Sequence, residues 1–185
     1  DGMMVSIIQS NYRGMGSGLV PDGADGRTLG FMFQDRGELF ALRDGHPNLY
    51  APGKRPFQTI IPGFATKGDK PWLAFGVMGG DMQPQGQAQI IMNMVDHGLG
   101  LQEAGDAPRW HHEGSSEPTG EPQQGTGILR LETGVPDATK KALAAMGWKL
   151  GDSDGGFGGY QAVELGEQAY GAASEMRKDG LALAY

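Results

Sequence analysis

Apolar positions along the chain switch between strand-like and helix-like periods. Met3–Ile8 is a short apolar run with β-branched content, which predicts a buried strand. Leu29–Phe33 is a second strand candidate. Asp44–Pro56 is rich in Gly, Pro and His and predicts an irregular connection. Phe57–Ala65 and Trp72–Met78 predict two strands joined by Lys67-Gly68-Asp69-Lys70 as a hairpin. After Gly79-Gly80 the period becomes helical: Ala88, Ile91, Met92, Val95 and Leu99 recur along one face. Pro84 near the first turn and Gly98 and Gly100 at the end bound a helix from about Pro84 to Gly98. Leu101–Ala107 predicts a short second helix, stopped by Pro108. Gly114–Gly125 is polar and reads as a surface loop, and Ile128–Leu131 as a short strand. Val135–Met146 predicts a third helix with Val135, Ala138, Ala142, Ala145 and Met146 on one side, closed by Gly147. Tyr160–Leu165, Ala169–Met176 and Leu181–Tyr185 predict terminal strands.

Strands, then a helical pair, then more strands indicate α+β layering. The expected architecture is two stacked, mainly antiparallel sheets with helices outside. There is no internal repeat, and residues 1–185 read as a single domain.

The 15 basic and 22 acidic residues give a net charge of −7, which argues against non-specific nucleic-acid binding. No run of 18 apolar residues predicts a membrane span, and no cationic-then-apolar segment predicts a signal peptide. The absence of Cys excludes disulfides, zinc thiolate sites and thiol catalysis, and leaves the compartment open. The 33 glycines cluster in Arg13–Gly18, Gly79–Gly86 and Gly151–Gly159. The first two clusters lie between apolar segments and suggest bent backbone close to a ligand, whereas the third reads as a loop.

Four motifs could carry chemistry. Met78-Gly79-Gly80 between a strand and a helix can point successive N–H groups at a developing oxyanion, although an isolated Gly-Gly is more often a plain tight turn. Gln9-Ser10-Asn11-Tyr12 puts polar side chains at a strand end, where they could bond a nucleophile or substrate or simply form a turn. Lys54 and Arg55, between Pro52 and Pro56, could bind a carboxylate or form a solvated pair. Arg109-Trp110-His111-His112 puts adjacent histidines on opposite faces of a strand, and His46 and His97 lie far off in sequence, so no metal site is expected. No phosphate loop, Gly-x-Ser-x-Gly elbow or cofactor motif occurs.

The order of the motifs is more specific than any one of them. Asp1-Gly2 and a strand precede Gly14-Met15-Gly16-Ser17-Gly18. There follow Pro52-Gly53-Lys54-Arg55-Pro56, Gly76-Val77-Met78-Gly79-Gly80, Ala107-Pro108-Arg109-Trp110-His111 and Tyr170-Gly171-Ala172-Ala173-Ser174. This series resembles the small subunit of γ-glutamyltranspeptidases over nearly the whole chain. Gln9–Tyr12 and Gly76–Gln85 look more like its divergent, cephalosporin-acylase-like branch. The resemblance implies an N-terminal-nucleophile hydrolase fold, a four-layer αββα sandwich, and a precursor that cuts itself. It implies that the new N-terminal Thr, with its own α-amine as base, attacks a γ-glutamyl amide and passes the acyl group to water or an amino acid. The implied partner is the large subunit of the same precursor, with no cofactor.

Carried over by residue, the resemblance implies that Gly79 and Gly80 form the oxyanion hole and that Ser10 contacts the nucleophile. Asn11 or Tyr12 corresponds to a substrate-contacting Asn, and Gln58 and Thr59 occupy a Ser-Ser pair near the substrate carboxylate. Two departures follow. The family places an Asp on the substrate's α-amine just before a Phe, where Asp35-Arg36-Gly37-Glu38-Leu39-Phe40 has Leu39. Either Glu38 or Asp35 supplies that charge, or the substrate is not a free-amino glutamyl compound. The nucleophilic Thr would also lie about one strand before Asp1, so a chain beginning at Asp1 is expected to be inactive by itself and to expose apolar surface. The alternatives to a γ-glutamyltransferase are a divergent acylase acting on another amide and a catalytically silent binding or assembly module.

Overall fold

The computed structural model describes residues 2–114, 125–153 and 155–183. They form two compact units: residues 2–8, 60–114 and 125–183 in one, residues 9–59 in the other. The larger unit holds seven strands: β1 (Gly63–Lys67), β2 (Lys70–Met78), β3 (Trp110–Glu113), β4 (Ile128–Leu131), β5 (Leu150–Gly151), β6 (Gly159–Leu165) and β7 (Tyr170–Ser174). Its helices are α1 (Met82–Val95), α2 (Leu101–Asp106) and α3 (Asp137–Ala145).

One sheet runs β1-β2-β6-β7, antiparallel throughout. Its centre is β2, where Trp72, Leu73, Ala74, Phe75 and Val77 are all buried. A continuous buried run fits a strand covered on both faces. Leu73, Phe75, Val77, Ile90, Tyr160, Ala162 and Ala173 form the core. The α1 helix packs on β2 and β3, and α2 packs on β6, β7 and α1. Gly105 lets α2 lie flat on the ring of Tyr160, since a Cβ there would sit 2.3 Å from Tyr160 Cδ1. The Tyr160 hydroxyl donates to the Leu101 carbonyl at 3.2 Å, and burial pushes this phenol well above its ordinary value.

The second sheet runs β3-β4-β5, with β4 and β5 parallel. Its β3 edge is closed by side chains rather than by another strand. Gln89 donates to Trp110 O at 2.9 Å and accepts from Trp110 N at 2.9 Å. One turn earlier on α1, Gln85 donates to His112 O at 3.0 Å and accepts from His112 N at 2.8 Å. Two amides four residues apart on a helix thus satisfy alternate residues of a strand edge.

Several expected strands are absent, for one shared reason. Residues 3–8 are extended and alternate in exposure, with Met3, Val5 and Ile7 outward, but they form no ladder among the described residues. Ser6 Oγ donates to Phe75 O at 2.9 Å, a side-chain contact with β2. Residues 57–62 likewise join no ladder among the described residues, so the hairpin begins only at Gly63. Leu29–Phe33 forms no strand; Leu29 N and Phe33 N each bond one carbonyl, Pro21 O and Leu19 O, across a loop. Residues 181–183 are not a strand, and the rest of that expected strand lies outside the described residues, as does most of the expected Gly114–Gly125 loop. A local pattern makes a segment extended, but a strand also needs a partner edge in register.

The helices fall close to expectation. The α3 helix buries none of its residues, and Met146 just beyond it is exposed. Among the described residues no helix is long and apolar enough to cross a membrane.

The smaller unit has little regular structure. Its one helical element is a 3-10 turn over Arg36–Leu39. Around it, Ala41 N bonds Asn48 O at 2.9 Å, Tyr50 N bonds Ala41 O at 3.0 Å, and Phe40 meets Tyr50 edge to face. Leu39, Ala41 and Arg36 are buried.

Candidate active site

The expected site residues fall in both units. In the larger unit β2 ends at Met78, and Gly79-Gly80-Asp81 turns the chain into α1. Gly79 has φ 133° and Gly80 φ 59°, both in the region L side chains avoid. A Cβ on Gly79 would sit 2.9 Å from Gly158 Cα, so the turn and the Gly158 backbone touch directly. A Cβ on Gly80 would meet nothing within 4 Å. Met82 N and Gln83 N bond back to Gly79 O and Gly80 O at 3.1 and 3.0 Å, which fixes the turn to the helix start. The N–H groups of Gly79 and Gly80 donate to no backbone carbonyl among the described residues. Such a turn can receive negative charge, and the start of a helix favours the same sign.

In the smaller unit the expected residues gather around an arginine that sequence reasoning passed over. Arg36 is 3% exposed. Its Nε donates to Thr59 Oγ1 at 2.9 Å, and its Nη1 to Ser10 O at 3.0 Å and Gln34 Oε1 at 3.2 Å. The ring of Tyr12 lies 5.9 Å from the guanidinium carbon. Ser10 Oγ accepts from Tyr12 N at 3.0 Å and so braces a turn in which Tyr12 holds φ 79°. Tyr12 is the one non-glycine residue with positive φ among those described, a conformation that persists only when surroundings impose it. Asn11 O accepts from Asp35 N at 3.1 Å, and Asn11 Nδ2 reaches Met15 O at 3.5 Å. Ser10, Tyr12 and Thr59 therefore touch one guanidinium, while Asn11 supports the loop and Gln58 is exposed.

The acids flanking Arg36 point elsewhere. Glu38 pairs with Arg13 at 2.6 Å, and Asp35 Oδ1 accepts from Arg13 N at 3.1 Å. Both are held by Arg13. Leu39, at the position where the resemblance puts an amine-binding Asp, is buried. No sequence signal marked Arg36: in Asp35-Arg36-Gly37-Glu38 a lone cation between acids reads as a solvated face.

A second buried charge cluster supports the larger unit. Arg109, 1% exposed, donates to Phe157 O at 2.7 Å and Gly105 O at 2.9 Å and lies 3.7 Å from Glu175. Arg177 grips both oxygens of Glu132 at 2.6 Å and also pairs with Glu175. Glu132 in turn accepts from Arg109 N at 2.7 Å. Burial pushes the Glu132 carboxyl up, but the Arg177 hydrogen bonds and the Arg109 N–H outweigh it and hold it below its ordinary value. Burial and the neighbouring Arg177 charge lower Arg109.

The remaining candidates are structural. Lys54 Nζ donates to Leu49 O at 3.1 Å and to Pro47 O, holding its own loop. His112 Nε2 lies 2.8 Å from Thr126 O, and His46 Nδ1 accepts from Asn48 N. Among the described residues no group of His, Asp and Glu could hold a metal ion.

Comparison with known proteins places this geometry in a class. A cephalosporin acylase from Bacillus halodurans superposes with a TM-score of 0.79 at 40% identity, over 96% of this chain and 31% of that one. A γ-glutamyltranspeptidase from Pseudomonas nitroreducens superposes with a TM-score of 0.79 at 25% identity, over 100% of this chain and 94% of that one. The fold is thus the N-terminal-nucleophile hydrolase αββα sandwich, in its small-subunit part. Residues 1–185 match the gamma-glutamyltranspeptidase family throughout, and the chain belongs to that family. The glutathione hydrolase-like YwrD proenzyme of Bacillus subtilis (strain 168) is 36% identical over 187 residues, 99% of this chain and 34% of that protein. The chain spans about a third of the length of this relative.

Proposed function

We propose that residues 1–185 form a portion of the small subunit of a self-processed amide hydrolase or transferase that cleaves γ-glutamyl amides through an acyl-enzyme. Its partner is the large subunit of the same precursor. The observation that carries this reading is the Gly79-Gly80 turn, with both residues at positive φ, between the central strand and α1. In the proposed reaction a threonine hydroxyl preceding this chain attacks the amide carbon. The carbonyl electron pair moves onto oxygen, where the turn's N–H groups receive it. The hydroxyl proton passes through the threonine's α-amine to the leaving amine as the C–N bond breaks. Water or an amino acid then takes the acyl group. Ser10 is proposed to contact the threonine hydroxyl, and Asn11, Tyr12, Glu38, Gln58 and Thr59 to line the acyl subsite.

A second reading, an acylase acting on an amide without a free α-amine, is favoured by one observation. Leu39 is buried and apolar, and both neighbouring carboxylates are engaged by Arg13. A substrate ammonium would find no carboxylate there to pair with.

The test of the acyl-transfer reading is Gly80→Val in the full-length protein. The open space around Gly80 removes a packing objection, so the variant acts on the φ 59° backbone and on the space over the turn. Loss of one oxyanion donor lowers kcat by about a hundredfold. Self-cleavage is scored separately on gels. A matured, folded variant with wild-type turnover would leave the turn without an oxyanion role.

A further inference from the structure

We infer that Gly158 is a positioning residue for the proposed acyl transfer: its bare backbone braces the Gly79-Gly80 turn and fixes the direction of the Gly79 N–H. This deepens the γ-glutamyl-amide reading and rests on it. Gly158 belongs to the glycine cluster that reads as a loop in the sequence, and it holds φ 76° just before β6. A Cβ on Gly158 would collide with Met78 O and would sit 2.8 Å from Val77 Cγ1 and 3.5 Å from Met82 Cγ. From the other side, a Cβ on Gly79 would sit 2.9 Å from Gly158 Cα and 3.4 Å from Gly158 N. The two glycines thus meet backbone to backbone, with no room for a side chain on either. Gly80, by contrast, has open space around it. The demand for glycine at 158 therefore comes from contact with the turn as well as from its own φ.

Planarity carries this contact to the donor. The peptide bond locks Met78 C=O and Gly79 N–H into one plane, pointing opposite ways. Whatever sets the Met78 carbonyl sets the Gly79 N–H, and Gly158 lies against that carbonyl. The next plane is fixed separately: Met82 N donates to Gly79 O at 3.1 Å, which directs the Gly80 N–H the other way. Gly158 is held in turn by its neighbours. Gly159 pairs with Met78 in the β2–β6 ladder. Phe157 is 1% exposed, and its carbonyl accepts from Arg109 Nη1 at 2.7 Å. The buried arginine network thus reaches the turn through Phe157 and Gly158. A donor held this way stabilises a transition state because it needs no reorientation as charge develops.

The experiment uses the full-length, self-processed protein with γ-glutamyl p-nitroanilide as substrate. The probe of the charged intermediate is glutamate bearing a boronic acid in place of its γ-carboxyl. Boron accepts the threonine oxygen and becomes a tetrahedral anion, so the inhibition constant reads the oxyanion donors whatever the fraction of active protein. In Gly158→Ala we expect kcat to fall about tenfold to a hundredfold with KM little changed, and boronate affinity to fall with kcat. Gly155→Ala, at a similar φ of 82° but with open space around it, should match the wild type in both. Val77→Ala/Gly158→Ala relieves the side-chain clash and leaves the one with the Met78 carbonyl. It should stay as slow relative to Val77→Ala alone, and it carries the test if Gly158→Ala fails to mature. Wild-type turnover in matured Gly158→Ala, or its return in the double variant, overturns the inference and leaves Gly158 as space for Val77. A matured Gly158→Ala that loses kcat yet keeps wild-type boronate affinity overturns it too. If the wild-type protein neither cleaves the amide nor binds the boronate, the γ-glutamyl-amide reading falls. Exchange of the Met82 amide, faster in Gly158→Ala than in the wild type, then still upholds the brace, and equal exchange overturns it.

Discussion

Two arginines in this chain are almost equally buried, and their surroundings are opposite. Arg109 lies beside Glu175 and within a network that also holds Arg177 and Glu132. Every cation in that network has a carboxylate, and carbonyls of Gly105, Ala107 and Phe157 take further N–H groups. Arg36 has neutral acceptors only, and each guanidinium keeps one buried nitrogen without a hydrogen bond among the described residues, Nη2 of Arg36 and Nε of Arg109. Burying a charge is costly unless it is paired. The first arrangement offsets that cost with carboxylates supplied by the fold. The second meets it with neutral acceptors alone.

The sharpest way to break this contrast is at Glu175. Glu175→Gln leaves Arg109 buried without its acid and is expected to cost on the order of 3–5 kcal/mol, read from urea unfolding of the processed protein. A loss below about 1 kcal/mol would mean that the carbonyls alone satisfy Arg109, and the two arginines would no longer differ in kind.

The next test gives Arg36 the acid it lacks. Positions i and i+3 eclipse in a 3-10 turn, so Leu39→Asp sets a carboxylate on the face that carries Arg36. It would occupy the guanidinium and also offer a partner to a substrate ammonium. Hydrolysis of γ-glutamyl p-nitroanilide by the full-length protein should rise about tenfold. An unchanged rate would separate Leu39 from the acyl subsite.

A smaller effect is expected on stability at Arg36 itself. Arg36→Met strands no carboxylate but removes the donor to Thr59 Oγ1, Ser10 O and Gln34 Oε1, so its cost should be about 1–3 kcal/mol by the same urea measurement. A cost matching that of Glu175→Gln would make Arg36 a structural group like Arg109.

The mildest test is pH. Glu132 is depressed in the folded state, so its contribution is fully present above its ordinary value of 4.5 and is lost as pH falls through the lower folded value. Stability should decline with falling pH below about 4.5, and Glu132→Gln should flatten that decline. Equal slopes in the two proteins would remove Glu132 from the acid response.

The parts of the fold that were legible are those governed by nearby residues. The α1 helix showed itself through apolar spacing with Pro84 and Gly98 at its ends, and α2 through Pro108. The β1–β2 hairpin showed itself through Gly68, which holds φ 59°. The tight turn at Gly79-Gly80 was legible because the glycine pair falls between a strand pattern and a helix pattern. Arg36 was not, because its burial depends on Ser10 and Thr59, both more than 20 residues away. Gln85 and Gln89 were equally silent: nothing local tells a glutamine that closes a strand edge from one in solvent.

By itself, then, the sequence determined which segments are helical or extended, where the glycine turn falls, and which family pattern the motifs follow. Those properties rest on φ/ψ preference and apolar period over a few residues. Only tertiary structure decided that residues 3–8 join no ladder among the described residues, that two glutamines close β3, and that one buried arginine meets carboxylates while another meets neutral acceptors. Hydrogen-bond partners and counterions are long-range facts: a side chain's charge is written at its own position, but its cost is set by whatever the fold brings beside it.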